Sequence, residues 1–190
     1  MRVKWLAVAG ILLTAAARGF FQKEDALRFN GKGEMIFPDN YREWVWLSSG
    51  LGMSYSSRAG EGDPDFDNVF VAPQAYRSFV ASGAWPNGTV FVLEIRGSHG
   101  QGSINQAGHY QGDLQDVEAH VKKADGVWAF YGFGDGSKPA RLIPRSASCY
   151  SCHEQHGAVD TTFVQFYPTL LKVAREKKTL NEKALSENNK

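Results

Sequence analysis

The chain has 190 residues, of which 43% are hydrophobic, and this is enough apolar material for one folded domain with a core. Its 21 Lys and Arg residues nearly balance 20 Asp and Glu residues, and the formal net charge is +1. This balance argues against nucleic acid or an anionic membrane surface as a partner.

The N-terminus has the three parts of a secretory signal peptide. Arg2 and Lys4 provide a basic start, residues 5–16 are almost entirely apolar, and the alanines at 15–17 provide a cleavage site. The apolar run is shorter than the roughly 20 residues that a helix needs to cross a bilayer. We therefore expect cleavage after Ala17, export to the periplasm, and no membrane anchor on the mature chain.

Helical and strand patterns alternate through the middle of the chain. A short helical turn is predicted at 39–44 and an amphipathic helix at 73–83, which Pro73 opens and Gly83 closes. Strand composition and alternation occur at 68–72, 89–97, 114–123 and 127–134. The dipeptide Asp125-Gly126 predicts a tight hairpin between the last two strands, so the strands should form an antiparallel meander.

The same alternation assigns side chains to the two faces of this sheet. Phe91 and Leu93 should share one face of the strand at 89–97. In the strand at 114–123, Glu118 falls on the more polar face. Taken alone, Leu93 is typical of a core residue and Glu118 of a solvated strand face.

After the meander the pattern becomes helical. One helix is predicted to begin near residue 146. Another is predicted over 160–177, with Asp160 as its N-cap and with Pro168 bending or dividing it. Residues 176–190 are polar and poor in apolar side chains, which predicts a frayed helix end or a disordered tail.

The only two cysteines of the chain lie in the sequence CYSCH, residues 149–153. A structural zinc site needs about four protein ligands, and a redox dithiol belongs to a βαβ pattern that is not evident upstream. In an exported protein, this motif is typical of c-type haem attachment, because one helical turn spaces the thiols for the two haem vinyl groups. We therefore predict Cys149 and Cys152 as the thioether cysteines and His153 as the axial iron ligand.

Five further blocks accompany CYSCH along nearly the whole mature chain: FNGKGEMIFPDNYREWVW (29–46), VAPQAYRSFVASGAWPNGTVFVLEI (71–95), GDLQDVEAHVK (112–122), WAFYGF (128–133) and TTFVQFYPTLL (161–171). Together they resemble the cytochrome P-460 family, which includes cytochrome c′-beta. The resemblance implies a mainly antiparallel β fold with peripheral helices, a homodimer, and one haem c per chain with the sixth iron position open. Members include hydroxylamine-oxidising enzymes and nitric-oxide-binding proteins.

One position departs from the hydroxylamine-oxidising members. They carry a lysine, bonded covalently to the haem edge, on the strand after the glycine-threonine turn, and the matching residue here is Leu93. Leucine has no amine, so that cross-link cannot form. The family's distal-pocket glutamate does match, as Glu118, which the resemblance marks as a distal acid or base. Leu93 and Phe91 are predicted to line an apolar haem pocket.

A sixth protein ligand would close the open iron position. The residues of suitable type are His99, His109, His120, His156, Met35 and Met53. His156 lies three residues after His153, so it shares the proximal side of the helix and cannot reach the opposite haem face.

Three function classes remain: a gas-binding haem protein, an oxidoreductase acting on hydroxylamine, a related small nitrogen compound or peroxide, and a six-coordinate electron carrier. We favour a periplasmic mono-haem cytochrome that binds nitric oxide or a similar small ligand and exchanges electrons with a partner cytochrome. The predicted fold class is α+β, mainly antiparallel β-sheet with flanking helices and a C-terminal haem-attachment helix. The predicted division is a signal peptide at 1–17, the haem c domain at 18–175, and the polar tail at 176–190.

Overall fold

A computed structural model describes residues 27–53 and 62–186. The predicted signal peptide lies outside these residues. The described chain forms a five-stranded antiparallel sheet with helices packed against it, so the predicted α+β fold class is confirmed. Within the described ranges, no helix combines the length and the hydropathy that spanning a membrane requires.

The five strands lie side by side in the order in which they occur in the chain. They are β1 Val45–Leu51, β2 Phe66–Val71, β3 Val90–His99, β4 Tyr110–Lys122 and β5 Trp128–Gly134. Each pair of neighbours is antiparallel. The turn between β4 and β5 contains Gly126 at φ +80°, a conformation that favours glycine, and the predicted hairpin is confirmed.

In the part of the chain that the structure describes, four α-helices flank the sheet: α1 Pro73–Ser82, α2 Ser148–His156, α3 Pro168–Lys177 and α4 Glu182–Ser186. Single 3-10 turns lie at Tyr41–Glu43 and Val164–Phe166. Helix α1 begins at Pro73 and is capped by Gly83 in the left-handed conformation, as the sequence predicts.

The C-terminal segment differs from its prediction in two ways. The helix predicted over 160–177 begins only at Pro168, because proline lacks the N–H that a helix interior requires and suits a first turn. Asp160 is not an N-cap but lies in the preceding loop at φ +47°. Within the predicted tail, Glu182–Ser186 forms α4, where Ala184 is buried and the Asn181 N–H donates to the carbonyl of Ala158.

The two faces of the sheet carry separate hydrophobic cores. The Val92 face presents Val90, Val92, Val117, Ala119 and Val121, against which Met35, Tyr41 and Trp44 pack. The Leu93 face presents Phe91, Leu93, Glu118 and His120, and its core is completed by residues of α1, α3 and the segment between α2 and α3, among them Phe79, Val159, Val164 and Leu170. The alternation predicted for β3 and β4 is therefore present, with Leu93 and Glu118 on the Leu93 face. The CYSCH helix packs on the same face, because the His153 ring contacts His120 and Phe130.

Candidate functional site

Helix α2 carries both cysteines and is anchored to the sheet through Tyr150. The Tyr150 side chain is only 6% exposed, and its hydroxyl donates to the Ile143 carbonyl at 2.9 Å. Its ring meets the Phe130 ring edge to face, with centroids 4.8 Å apart. Cys149 and Cys152 are three residues apart on this helix, so their side chains lie on the same side of it. That side adjoins the one that Tyr150 anchors.

His153 is held by one hydrogen bond and three aromatic neighbours. Its Nδ1 lies 2.8 Å from the carbonyl oxygen of Thr161. The ring packs against Phe163, His120 and Phe130, with centroid separations of 4.3, 4.7 and 4.7 Å. Burial lowers the pKa of His153, which favours the neutral imidazole. With Nδ1 donating to the carbonyl, Nε2 keeps its lone pair and is the nitrogen able to ligate iron.

Gly157 allows that hydrogen bond to form. A Cβ at this position would lie 2.6 Å from the Thr161 Cα and 2.7 Å from the His153 carbonyl oxygen. Its φ of −67° suits any residue, so steric contact alone explains the glycine. The loop that folds back onto the helix is fixed further by Trp85, whose Nε1 donates to the Thr162 hydroxyl at 2.9 Å.

The two thiols are not arranged for disulfide chemistry. Cys149 and Cys152 are free and half-buried. Burial raises the pKa of both thiols, and the Glu118 carboxylate raises that of Cys149 further. A redox-active dithiol works through a thiolate of lowered pKa, so this environment favours covalent attachment of a cofactor over thiol exchange.

Leu93 and Glu118 lie directly opposite each other on β3 and β4. Both side chains are half-buried, and the Glu118 carboxylate acts on the Cys149 thiol, so this pair lies near α2. Phe91, two residues before Leu93 on β3, pairs with His120 on β4 and is 4% exposed. Its ring packs against Trp85 in the adjacent core, so Phe91 lies deeper in the core than Leu93.

Carboxyl groups accumulate around Leu93. Burial, Asp116 and Asp67 raise the pKa of Glu118, and burial and Asp65 raise the pKa of Asp67 to about 6. Sequence reasoning missed Asp67 because it placed the strand at 68–72, whereas β2 begins at Phe66. The signal was the alternation of Asp67 with Val69 and Val71, which puts the three on one face.

Buried polar atoms without partners concentrate near His153. In residues 27–53 and 62–186, four such atoms occur: Trp44 Nε1, His120 Nε2, Trp128 Nε1 and Thr161 Oγ1. The Thr161 carbonyl accepts from His153, and His120 contacts the His153 ring. The Trp128 ring in turn lies 4.3 Å from the His120 ring. Buried polar groups are normally hydrogen-bonded, so this concentration is suited to a cofactor with polar substituents. Together with two free thiols and an available imidazole nitrogen, it fits haem.

The residues considered as possible sixth iron ligands do not lie on the side of the haem site opposite His153. His120 contacts the His153 ring itself, and Met35 is fully buried in the core of the Val92 face. His99 is eight residues further along β3 than Phe91, which corresponds to about 26 Å. His109 lies 3.8 Å from Asp63, Met53 is half-exposed just after β1, and His156 ends the same helix as His153.

Comparison with known families adds one finding. The family model described as Cytochrome P460 matches residues 38–164, which is more than half of the chain. The matched span contains β1 to β5, α1 and α2, and therefore the CYSCH motif, Leu93, Glu118 and Asp67. No curated protein matches the chain.

Proposed function

Because the chain belongs to the cytochrome P460 family, whose members bind haem, we propose that it is an exported mono-haem c-type cytochrome with an open iron site for nitric oxide or a similar small neutral ligand. The observation that carries this proposal is the His153 geometry. Its Nδ1 is bound to the Thr161 carbonyl at 2.8 Å, next to two free thiols spaced as CYSCH. That arrangement leaves one imidazole nitrogen for iron and two sulfurs for covalent attachment.

Each residue of the motif would have a separate role. Cys149 and Cys152 would hold the haem through thioether bonds, and His153 Nε2 would be its proximal ligand. The Thr161 carbonyl fixes the orientation of the imidazole and increases its basicity. Bound haem would supply an iron centre with one position for a small ligand.

Leu93 favours ligand binding over hydroxylamine oxidation. It occupies the position at which hydroxylamine-oxidising relatives carry the cross-linking lysine, and it presents only an apolar side chain. An apolar surface costs nothing to a neutral diatomic ligand, whereas it offers an anionic ligand no partner. We expect hydroxylamine oxidation by this chain to be weak or absent.

Oxidoreductase activity on small nitrogen compounds or peroxide is the second candidate, and Glu118 favours it. Burial raises the pKa of this carboxyl, and a carboxyl of raised pKa can exchange protons with a reacting group closer to neutral pH. A six-coordinate electron carrier is less favoured, because His120 lies beside His153 and Met35 lies on the other sheet face.

Three measurements on the purified, haem-loaded protein distinguish these functions. We expect a five-coordinate ferrous spectrum, stoichiometric nitric oxide binding in a ferrous titration, and little steady-state hydroxylamine oxidation with an artificial electron acceptor. The sharp split bands of a low-spin ferrous haem would instead indicate the electron carrier. Robust hydroxylamine turnover would establish the oxidoreductase and show that the cross-link is dispensable.

Export, attachment and assembly complete the proposal. We expect a mature chain that begins at or near Arg18, carries one covalent haem and forms a homodimer that exchanges electrons with a partner cytochrome. Mass spectrometry of periplasmic protein should give the mature chain plus one haem. Haem that acid–acetone extraction removes, or a monomer mass by light scattering at micromolar protein, would contradict the attachment or the dimer respectively.

A further inference from the structure

Two carboxylates stand on either side of Leu93. Strand β3 lies between β2 and β4, and its partners form two rows across the sheet: Val69, Leu93 and Glu118 in one, and Asp67, Ile95 and Asp116 in the next. Paired residues of antiparallel strands share a face. Asp67 and Glu118 therefore flank β3 on the Leu93 face, one row apart.

Among the described residues, neither carboxylate has a neutralising partner. Within the described ranges, the influences on Asp67 and Glu118 are burial and other carboxylates, with no hydrogen bond or cation that would stabilise the charged form. The nearest acids, Asp65 and Asp116, have the same sign. From α2, the group that faces Glu118 is the Cys149 thiol, which carries no compensating positive charge.

The arginine on the adjacent strand is committed elsewhere. Arg96 follows Ile95 on β3, but its guanidinium binds Glu94 at 2.7 Å on the Val92 face. Residues next to each other on a strand point to opposite faces, so Arg96 does not reach Asp67 or Glu118. Among the described residues, acids therefore dominate the electrostatic potential beside Leu93.

A buried nitrogen on the same face independently points to a bound group. His120 lies two residues after Glu118 on β4, is 8% exposed, and its Nε2 has no hydrogen-bond partner in the described chain. It contacts the ring of His153, the proposed iron ligand. An unpaired nitrogen buried to this degree is expected where a bound group completes the hydrogen bonding. The acids thus adjoin the cofactor side of the sheet rather than an unrelated surface.

We propose that Asp67 and Glu118 form an acidic wall beside the ligand position, and that this wall admits neutral and cationic small ligands and excludes anions. The assignment rests on the proposed haem site and specifies which ligands that site takes. An anion that approaches the iron must come close to two uncompensated charges in a partly desolvated setting, where Coulomb repulsion exceeds that in water. A neutral ligand is not repelled, and a cation is attracted.

Ligand titrations of the ferric, haem-loaded protein test this proposal. Azide serves as the anion and imidazole as the neutral ligand, both at about pH 8, where azide is ionised and imidazole is mostly neutral. We expect Asp67→Asn and Glu118→Gln each to increase azide affinity about fivefold, and the double variant more than about tenfold. Imidazole affinity should stay within about twofold. Asp113→Asn, an exposed change on the same strand β4, is the matched control and should alter neither affinity.

The ratio of azide to imidazole affinity decides the outcome. Equal changes in both affinities would indicate altered access rather than charge and would overturn the proposal. Unchanged azide affinity in the double variant, or azide binding that stays undetectable in every protein that binds imidazole, would overturn it as well. Failure of the ferrous protein to bind nitric oxide is a separate result, which would reject the open gas-binding site itself.

Discussion

Two glutamates on adjacent strands, Glu94 on β3 and Glu118 on β4, face opposite sides of the same sheet and have opposite environments. Glu94 is 1% exposed on the Val92 face. It accepts hydrogen bonds from Tyr41, Arg42, Arg96 and Asn68. Burial alone would raise the pKa of Glu94, but the bonds from Arg96 and Tyr41 and the charge of Arg42 lower it. Its charge is therefore a structural feature, stabilised by partners on three segments of the chain.

Glu118 has none of these compensations. It is half-buried, its described neighbours include two further acids, and its pKa is raised. A fold gains nothing from such a group, since an unpaired and partly desolvated carboxylate destabilises the folded state. Glu94, paired with four side chains, stabilises the sheet, whereas the unpaired Glu118, which acts on the Cys149 thiol, is the candidate for contact with the proposed ligand.

Loss of the Glu94 side chain should destabilise the fold more than any other change proposed here. Glu94→Ala leaves Arg96 and Tyr41 without their shared partner in a buried place, and we expect the free energy of unfolding to fall by about 3 kcal/mol. Glu118→Ala is the matched change and should shift it by no more than about 0.5 kcal/mol. Urea denaturation of the haem-loaded proteins measures both. Similar losses for the two variants would show that Glu118 is a structural residue too.

A second test acts on the hydrogen bond that orients His153. Gly157→Ala places a methyl group 2.6 Å from the Thr161 Cα, so the loop must move away from α2. We expect a loss of about 2 kcal/mol in stability. We also expect a lower iron–histidine stretching frequency in the ferrous resonance Raman spectrum, because the imidazole loses its hydrogen bond.

Gly31→Ala is the control for the Gly157 variant, because a Cβ there meets no atom within 4 Å. It should leave both the stability and the Raman band unchanged. A Gly157 variant that loses stability but keeps the wild-type band would contradict the positioning role, since the Thr161 carbonyl would then have followed the histidine.

A third test asks whether the Leu93 face differs from hydroxylamine-oxidising relatives by one side chain. Leu93→Lys puts an amine on a half-buried site opposite Glu118. We expect a cost of about 1–2 kcal/mol in stability and, in part of the protein, a covalent bond to the haem edge that shifts the absorption spectrum to the red. Leu93→Met is the isosteric control and should keep an ordinary haem c spectrum. A lysine variant without any red shift, whose structure shows the amine directed away from the haem, would contradict the family register at this position.

The residues that the sequence could predict are those whose chemistry is local. CYSCH identifies itself by spacing, and alternation assigns Leu93 and Glu118 each to one face of its own strand. That the two faces coincide follows from the register between β3 and β4, which alternation does not contain. The roles assigned to these residues, and to Phe91, remain predictions. Helix α1 was predictable because Pro73 and Gly83 act on their own backbone conformation.

What the sequence did not predict depends on contacts between distant segments. Strand β1 is irregular, with a shift of register between Trp46 and Ser48, so its alternation is broken. The partner of His153 is a backbone carbonyl, that of Thr161, which any residue type could have supplied. The unpaired state of Asp67 follows from which strands flank β3, and no local pattern contains that information.

The smallest expected effect concerns Asp67 and has the opposite sign to that of Glu94. Burial raises the pKa of Asp67 from 3.8 to about 6, so between these values the folded chain holds a proton that the unfolded chain has released. Stability linked to this group is therefore present at low pH and is lost as pH rises through about 4 to 6. Asp67→Asn removes that loss, and at about pH 7 the variant should be more stable than the wild type by about 1 kcal/mol, a figure reduced for partial solvent screening. Urea denaturation of the haem-loaded proteins across this range should show the difference vanish near pH 4. A gain independent of pH would mean that the asparagine acts through a new contact, and the acidic wall would lose its electrostatic basis.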